Sequence, residues 1–135
     1  MYKNILVPVS LDDGRDIKGA IEVARKLAGE GGKITLLHVV EHIPGYAITY
    51  LSPEYLSERR KAVVAELEAL AANIPNGSRE VVTGHSGRTI LDWAFKHDVD
   101  CIVIASHRPG MQDLLLGSTA SQVVRHATCA VHVIR

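Results

Sequence analysis

Residues 101–105 read Cys101-Ile102-Val103-Ile104-Ala105, a continuous apolar run between Asp98-Val99-Asp100 and a polar loop over 106–113. A short run of this kind, bounded by turn residues, predicts a strand buried on both faces. Working outward, the same pattern returns at Ile5-Leu6-Val7-Pro8-Val9, at Ile34-Thr35-Leu36-Leu37-His38-Val39-Val40 and at Ala130-Val131-His132-Val133-Ile134. Glu80-Val81-Val82-Thr83-Gly84 is a shorter strand ending on glycine. Amphipathic helices lie between these runs. From Asp16, the residues Ile17, Ala20, Ile21, Ala24, Leu27 and Ala28 recur at helical spacing, and Gly29, Gly31 and Gly32 stop the helix. Ser52-Pro53-Glu54-Tyr55 predicts an N-cap with proline at the first helical position, opening a helix through Val63, Leu67 and Leu70 to Ala72. Ser86 is placed to cap a helix carrying Ile90, Leu91, Ala94 and Phe95, and a last helix carries Ala120, Val123, Val124 and Ala127. Strand and helix alternate along residues 1–135, which predicts a single doubly wound α/β domain, a parallel sheet with helices on both faces. Such sheets bind ligands at the carboxyl ends of their strands, where the strand order reverses.

Composition narrows the function classes. A chain of 135 residues is one domain, and its 15 Lys and Arg are balanced by 15 Asp and Glu. That balance argues against a nucleic-acid partner, whose binding runs on excess cationic side chains. The hydrophobic content of 47% excludes disorder, and only 4% aromatic residues means an aliphatic core. No run approaches the ~20 apolar residues that span a bilayer. Met1-Tyr2-Lys3-Asn4 leads into a strand, not a signal peptide. Cys101 and Cys129 sit in apolar runs and read as buried, reduced thiols, with a disulfide or a metal pair as the lesser alternatives. The expectation is a cytoplasmic protein without a membrane partner. Residues 41–51, with Pro44, Gly45, Tyr46 and Tyr50, form an irregular stretch long enough to be a functional loop or lid.

Three strand ends could carry chemistry: Pro8-Val9-Ser10, His38-Val39-Val40, and Ala105-Ser106-His107-Arg108-Pro109-Gly110. The third is the richest, with a small residue, a hydroxyl, an imidazole, a guanidinium and a glycine. Gly117-Ser118-Thr119 then opens a helix, whose unpaired N–H groups and dipole make an anion site. The dipole supplies only ~0.3–1 kcal/mol, so a phosphate also needs the hydroxyls of Ser118 and Thr119, the loop amides and Arg108. The plainer reading of Ser118 is an N-cap. None of the seven histidines has zinc-ligand spacing. His107 alone is placed in the site, either donating to phosphate or holding the loop. His38 and His132 read as core or interface residues, and His126 suits a helix C-terminus. Glu54, Glu58, Arg59, Arg60 and Lys61 read as a solvated face. There is no nucleophile elbow, no lysine-bearing phosphate loop and no recognisable set for efficient phosphoryl transfer.

The stretch Ile104-Ala105-Ser106-His107-Arg108-Pro109-Gly110, then Leu115-Leu116-Gly117-Ser118, Val123-Val124-Arg125-His126-Ala127 and Val131-His132-Val133-Ile134-Arg135, resembles the universal stress protein family. So do the opening Lys3-Asn4-Ile5-Leu6-Val7-Pro8-Val9, the strand Leu36-Leu37-His38-Val39 and the segment from Gly84 to Ile90. The resemblance implies a five-stranded sheet in the order 3-2-1-4-5, a stress-response role, ATP as ligand and a homodimer through the C-terminal strand, with a tetramer and a protein partner left open. It implies that Pro8, Val9 and Val39 flank adenine, that Ala105, Ser106 and His107 line ribose and phosphates, and that Gly117, Ser118 and Thr119 hold the phosphate tail. Two departures stand out. Ala105 replaces the first glycine of the family's loop and Arg108 the second, with eight residues between Arg108 and Gly117. Arg108 precedes Pro109 and is pushed toward extended backbone, which leaves the bend to Gly110 and lets the guanidinium replace amide contacts to phosphate. This His-Arg-Pro version resembles the branch labelled F and G. Ser10 stands where the family has aspartate. A hydroxyl can meet ribose but offers magnesium no carboxylate, and only Asp12 or Asp13 could compensate. The expected activity is nucleotide-dependent conformation or partner binding, with at most slow ATP hydrolysis. The alternative is a dimeric interaction module without nucleotide.

Overall fold

The computed structural model describes residues 1–11, 17–106 and 117–135. Five parallel strands, β1 (Tyr2–Pro8), β2 (Ala28–Val40), β3 (Gly77–Thr83), β4 (Cys101–Ala105) and β5 (Ala130–Ile134), pair in the order β3-β2-β1-β4-β5. They alternate with α1 (Ile17–Leu27), α2 (Gly45–Ile48), α3 (Pro53–Ala71), α4 (Ser86–Lys96) and α5 (Ser118–His126). This is the doubly wound order, reversing direction between β1 and β4.

Successive side chains of a strand face opposite sides, so each central strand feeds two cores. Ile5 and Val7 of β1, Ile34 and Leu36 of β2, and Cys101 and Val103 of β4 pack with Ala20 and Ala24 of α1 and Leu67 and Ala71 of α3. Leu6, Leu37, Ile102 and Ile104 pack with Ile90 and Ala94 of α4 and Ala120 and Val123 of α5. The same alternation separates the cysteines. Cys101 belongs to the α1–α3 core and Cys129 packs against the α4–α5 core. Both thiols are free, and burial pushes that of Cys101 up to about 11.

Ser52 caps α3 as the sequence predicts, its Oγ accepting from Tyr55 N at 3.0 Å. Three expectations need correction. The second strand does not wait for Ile34: α1 ends at Leu27 and β2 begins at Ala28, so Gly29, Gly31 and Gly32 lie within the strand. Its register against β1 shifts between Tyr2 and Asn4, and Gly31 takes φ +75° there, in the left-handed region. Phe95 is 77% exposed, since the side of α4 turned inward is set by Gly87, Ile90 and Ala94 and the next residue lies about 100° further round the helix. Val124 is turned out from α5 beside buried Val123 in the same way. Among the described residues, no helix is long and apolar enough to cross a membrane.

Candidate functional site

β1 ends at Pro8, which has no N–H for the ladder. Pairing nevertheless continues one residue further: Val9 N donates to Leu37 O at 2.8 Å, and the His38 ring Nδ1 donates to Val9 O at 2.9 Å. The ends of β1 and β2 are thereby fixed side by side. On the other side of β1, Ser106 continues the pairing of β4 with β5 through its N–H to Ile134 O at 2.8 Å, and its own carbonyl accepts from Gly117 N at 2.8 Å. A Cβ at Gly117 would lie 2.7 Å from that carbonyl oxygen, so only glycine lets α5 begin this close to the end of β4. Gly117 is the N-cap of α5, without a side-chain cap bond. Ser118, read above as a plausible cap, is instead the first helical residue.

These strand ends and the first turn of α5 surround a cleft of about 920 Å³. Of the residues singled out in the sequence, Pro8, Val9, Ser10, Val39, Ala105 and Thr119 line it. Ser106 is fully buried behind the wall, and Gly117 and Ser118 flank Thr119 without lining the cleft. His107, Arg108 and Gly110, like Asp12 and Asp13, lie outside the described residues. The irregular stretch carries the short helix α2, and Ile43, Ile48 and Leu51 from it line the cleft.

Sequence reading missed the remaining wall. His38, read as a core or interface residue, lines the cleft while it holds Val9. Arg59 and Arg60 also line it, so the charged run of α3 is not simply a solvated face. Arg60 donates to Thr83 Oγ1 at 3.3 Å and to Val81 O at 3.2 Å, tying α3 to the end of β3. The exposed Lys61–Glu58 pair at 3.7 Å is the part that fits the solvated reading.

Ser86 was expected to cap α4. The N-cap is His85, without a side-chain cap bond, and the capping oxygen comes from Glu41 just past β2. Ser86 N and Ser86 Oγ both donate to Glu41 Oε1, at 3.3 Å and 2.5 Å. A carboxylate at a helix N-terminus meets unpaired amides and the positive end of the dipole. The hydrogen bonds from the Ser86 hydroxyl and amide hold the Glu41 carboxyl below the usual carboxylate range, with smaller help from His85 and His42. Those two rings stand edge to face with centroids 6.3 Å apart. Among the described residues, no group of His, Cys, Asp and Glu side chains could hold a metal ion.

A family model described as "Universal stress protein family" matches residues 1–135. The chain is 35% identical over 142 residues to universal stress protein A homolog 2 of Coxiella burnetii, covering 99% of this chain and 95% of that protein. It is 33% identical over 145 residues to universal stress protein G of Salmonella typhimurium, covering all of both. The solved structure of universal stress protein UspA from Lactobacillus plantarum superposes with a TM-score of 0.73 at 30% identity, covering 99% of this chain and 98% of that one. The fold is shared with an Arabidopsis thaliana universal stress family protein with AMP bound (TM-score 0.63, 23% identity, 98% and 90% coverage). It is shared too with the Archaeoglobus fulgidus universal stress protein in complex with dAMP (TM-score 0.64, 21% identity, 99% and 98% coverage). With its whole length matched by the family model and by relatives above 30% identity, the chain belongs to the universal stress protein family.

Proposed function

We propose that the protein binds an adenine nucleotide, ATP in particular, across the carboxyl ends of its strands, and acts through nucleotide-dependent conformation or partner binding with at most slow hydrolysis. The observation that carries this reading is the single cleft into which β1, β2, β4 and the start of α5 deliver Pro8, Val9, Ser10, Val39, Ala105 and Thr119. Pro8, Val9 and Val39 supply apolar surface and backbone groups for the base, and Ser10 a hydroxyl for the ribose. Ala105 and His107 follow the ribose toward the phosphates, while the buried Ser106 ties the end of β4 to β5 and to Gly117. The first turn of α5, with Gly117, Ser118 and Thr119, supplies amides and hydroxyls for the phosphate tail, joined by Arg108 and Gly110. AMP and dAMP in two proteins of the same fold support a nucleotide as the ligand class. Magnesium fits this donor set poorly, because Ser10 brings a hydroxyl where a carboxylate would be needed.

Edge strand β5 is proposed to pair with its copy in a homodimer. It lies at the end of the sheet with Val131, Val133 and Ile134 half-buried. The second reading, an interaction module without nucleotide, is favoured by Tyr46 and Tyr50, 81% and 86% exposed beside the cleft. Thermal melting with ATP, AMP and GTP, with and without magnesium, separates the two. Ligand at a hundred times its dissociation constant stabilises by about 2.7 kcal/mol, a readily measured rise in Tm. The expected result is a rise with ATP and AMP that changes little with magnesium. No shift with any nucleotide overturns the proposal in favour of the interaction module.

A further inference from the structure

The order of strands along the sheet gives a nucleotide in this cleft a direction. Thr119 of α5 is at the β4 side, Ser10 follows β1, and Val39 and Glu41 are on β2 and just beyond it. A purine seated on Val39, with its ribose over Ser10 and its phosphates at Thr119, therefore points its far edge away from β1. That edge carries the 6-substituent. What it meets is fixed by alternation on β2. Leu37 and Val39 face the α4–α5 side, and Glu41, two residues further, reaches the same side to bond Ser86 at the start of α4. The first turn of α4 packs against the middle of α5, with Gly87 directly against the Gln122 side chain. Glu41 and Thr119 thus stand at opposite ends of one wall of the cleft.

The two helix starts on that wall differ. At α5 the N-cap residue is a glycine without a side chain to offer. At α4 the Glu41 carboxylate already takes the place of an anion. Both Ser86 donors go to Oε1, and among the described residues no donor reaches Oε2. An ionised carboxylate is an acceptor only, so its second oxygen is open to an N–H or O–H from a ligand.

We propose that Glu41 is the base-selecting residue of the nucleotide site: its Oε2 accepts a hydrogen bond from an exocyclic amine at position 6 of the purine, while its charge turns the phosphate end toward α5. Ser86 is the positioning residue that clamps Oε1 and so aims Oε2. This rests on the nucleotide reading above and adds to it the chemical group that is recognised and the side chain that recognises it.

The test is a cycle over ligand and residue, using ATP and the 5′-triphosphate of purine riboside, which differs only in lacking the 6-amino group. Titration calorimetry on the full chain should find ATP bound at least about tenfold more tightly by the wild type, the worth of one hydrogen bond to a charged group. In Glu41→Ala the two ligands should bind within about threefold of each other, most of the loss falling on ATP. Melting of Glu41→Ala without ligand shows that it is folded, and the wild-type comparison needs no variant at all. Equal affinity of the wild type for the two ligands overturns the proposal, as does a gap that survives Glu41→Ala, and both leave the nucleotide reading standing. Failure of both ligands to bind the wild type overturns both readings.

Discussion

The two ends of the sheet use their polar groups in opposite ways. At the amino end, Asp100 accepts from Lys3 N at 2.8 Å and Asn4 N at 3.0 Å, while its own N–H donates to Asn4 O at 3.0 Å. Asn4 Nδ2 donates to His97 O at 2.7 Å and Asp98 O at 3.3 Å, so the turn before β4 is tied to the start of β1. Most donors and acceptors there meet within the chain, with Asn4 Oδ1 buried without a partner among the described residues, and the hollow beside Val99 and Cys129 measures about 110 Å³. At the carboxyl end, hydroxyls, ring nitrogens and a carboxylate line a cleft of about 920 Å³. Polar groups satisfied by the chain itself serve stability, whereas those facing a cavity are available to a ligand. Substitutions at the two ends should therefore separate stability from affinity.

The largest loss of stability is expected from Asp100→Ala. It removes two charge-assisted bonds to backbone amides and leaves the Lys3 and Asn4 donors to water or to nothing. The cost should be about 2 kcal/mol of unfolding free energy, read from urea denaturation. Nucleotide affinity should be unchanged, because Asp100 is at the far end of the sheet from the cleft. A variant that binds ATP tenfold more weakly without losing stability would break the division drawn above.

Gly117→Val comes next and mixes the two effects. Its Cβ would meet the Ser106 carbonyl oxygen at 2.7 Å, a backbone atom that can yield only by moving the end of β4 or the start of α5. Overpacking of this kind typically costs about 1–3 kcal/mol. The variant should therefore both lose nucleotide affinity and melt earlier, rather than simply block the ligand in an unchanged fold. Melting with and without ATP measures both. A variant as stable as the wild type would mean that α5 can start further from β4 at no cost.

The same contrast explains how much of the molecule is legible in the sequence. β4 and the half of β1 that enters the cores follow from apolar runs, because burial on both faces demands such runs whatever surrounds them. Ser52 could be read as a cap because it and Tyr55 are three residues apart. Glu41 and Ser86 are 45 residues apart, and nothing local marks the glutamate as the partner of α4. The serine alone, read locally, suggested the ordinary side-chain cap. His38 was hidden in another way: inside an apolar strand it looks like a core residue, and only the continuation of β1 to Val9 gives its Nδ1 a carbonyl. Phe95 shows the limit of helical spacing, which finds an apolar stripe but not its margins. The start of α5 beside the cleft rests on Gly117, whose need for glycine becomes visible only once β4 and α5 are brought together.

The smallest effect is a pH dependence carried by Glu41. The Ser86 hydroxyl and amide hold its folded pKa below the value of about 4.3 for a free glutamate side chain. A carboxyl whose pKa is lowered on folding stabilises the fold above its unfolded pKa, and that contribution is lost as pH falls through the folded one. In Glu41→Gln the side chain keeps an oxygen for Ser86 but loses the charge facing the α4 amides. The variant should be slightly less stable than wild type at pH 7. The difference should begin to shrink as pH falls below about 4.3, the value of a free glutamate side chain, and be lost as pH falls through the lower folded pKa. Urea unfolding of the pair at pH 7 and pH 3 tests this, with a gap unchanged by pH as the contrary result. Because Glu41 is exposed, water screens its interaction with the helix, and the stability at stake is modest. The same exposure leaves the carboxylate's second oxygen accessible from the cleft, so a residue that matters little to folding can matter more to what the cleft accepts.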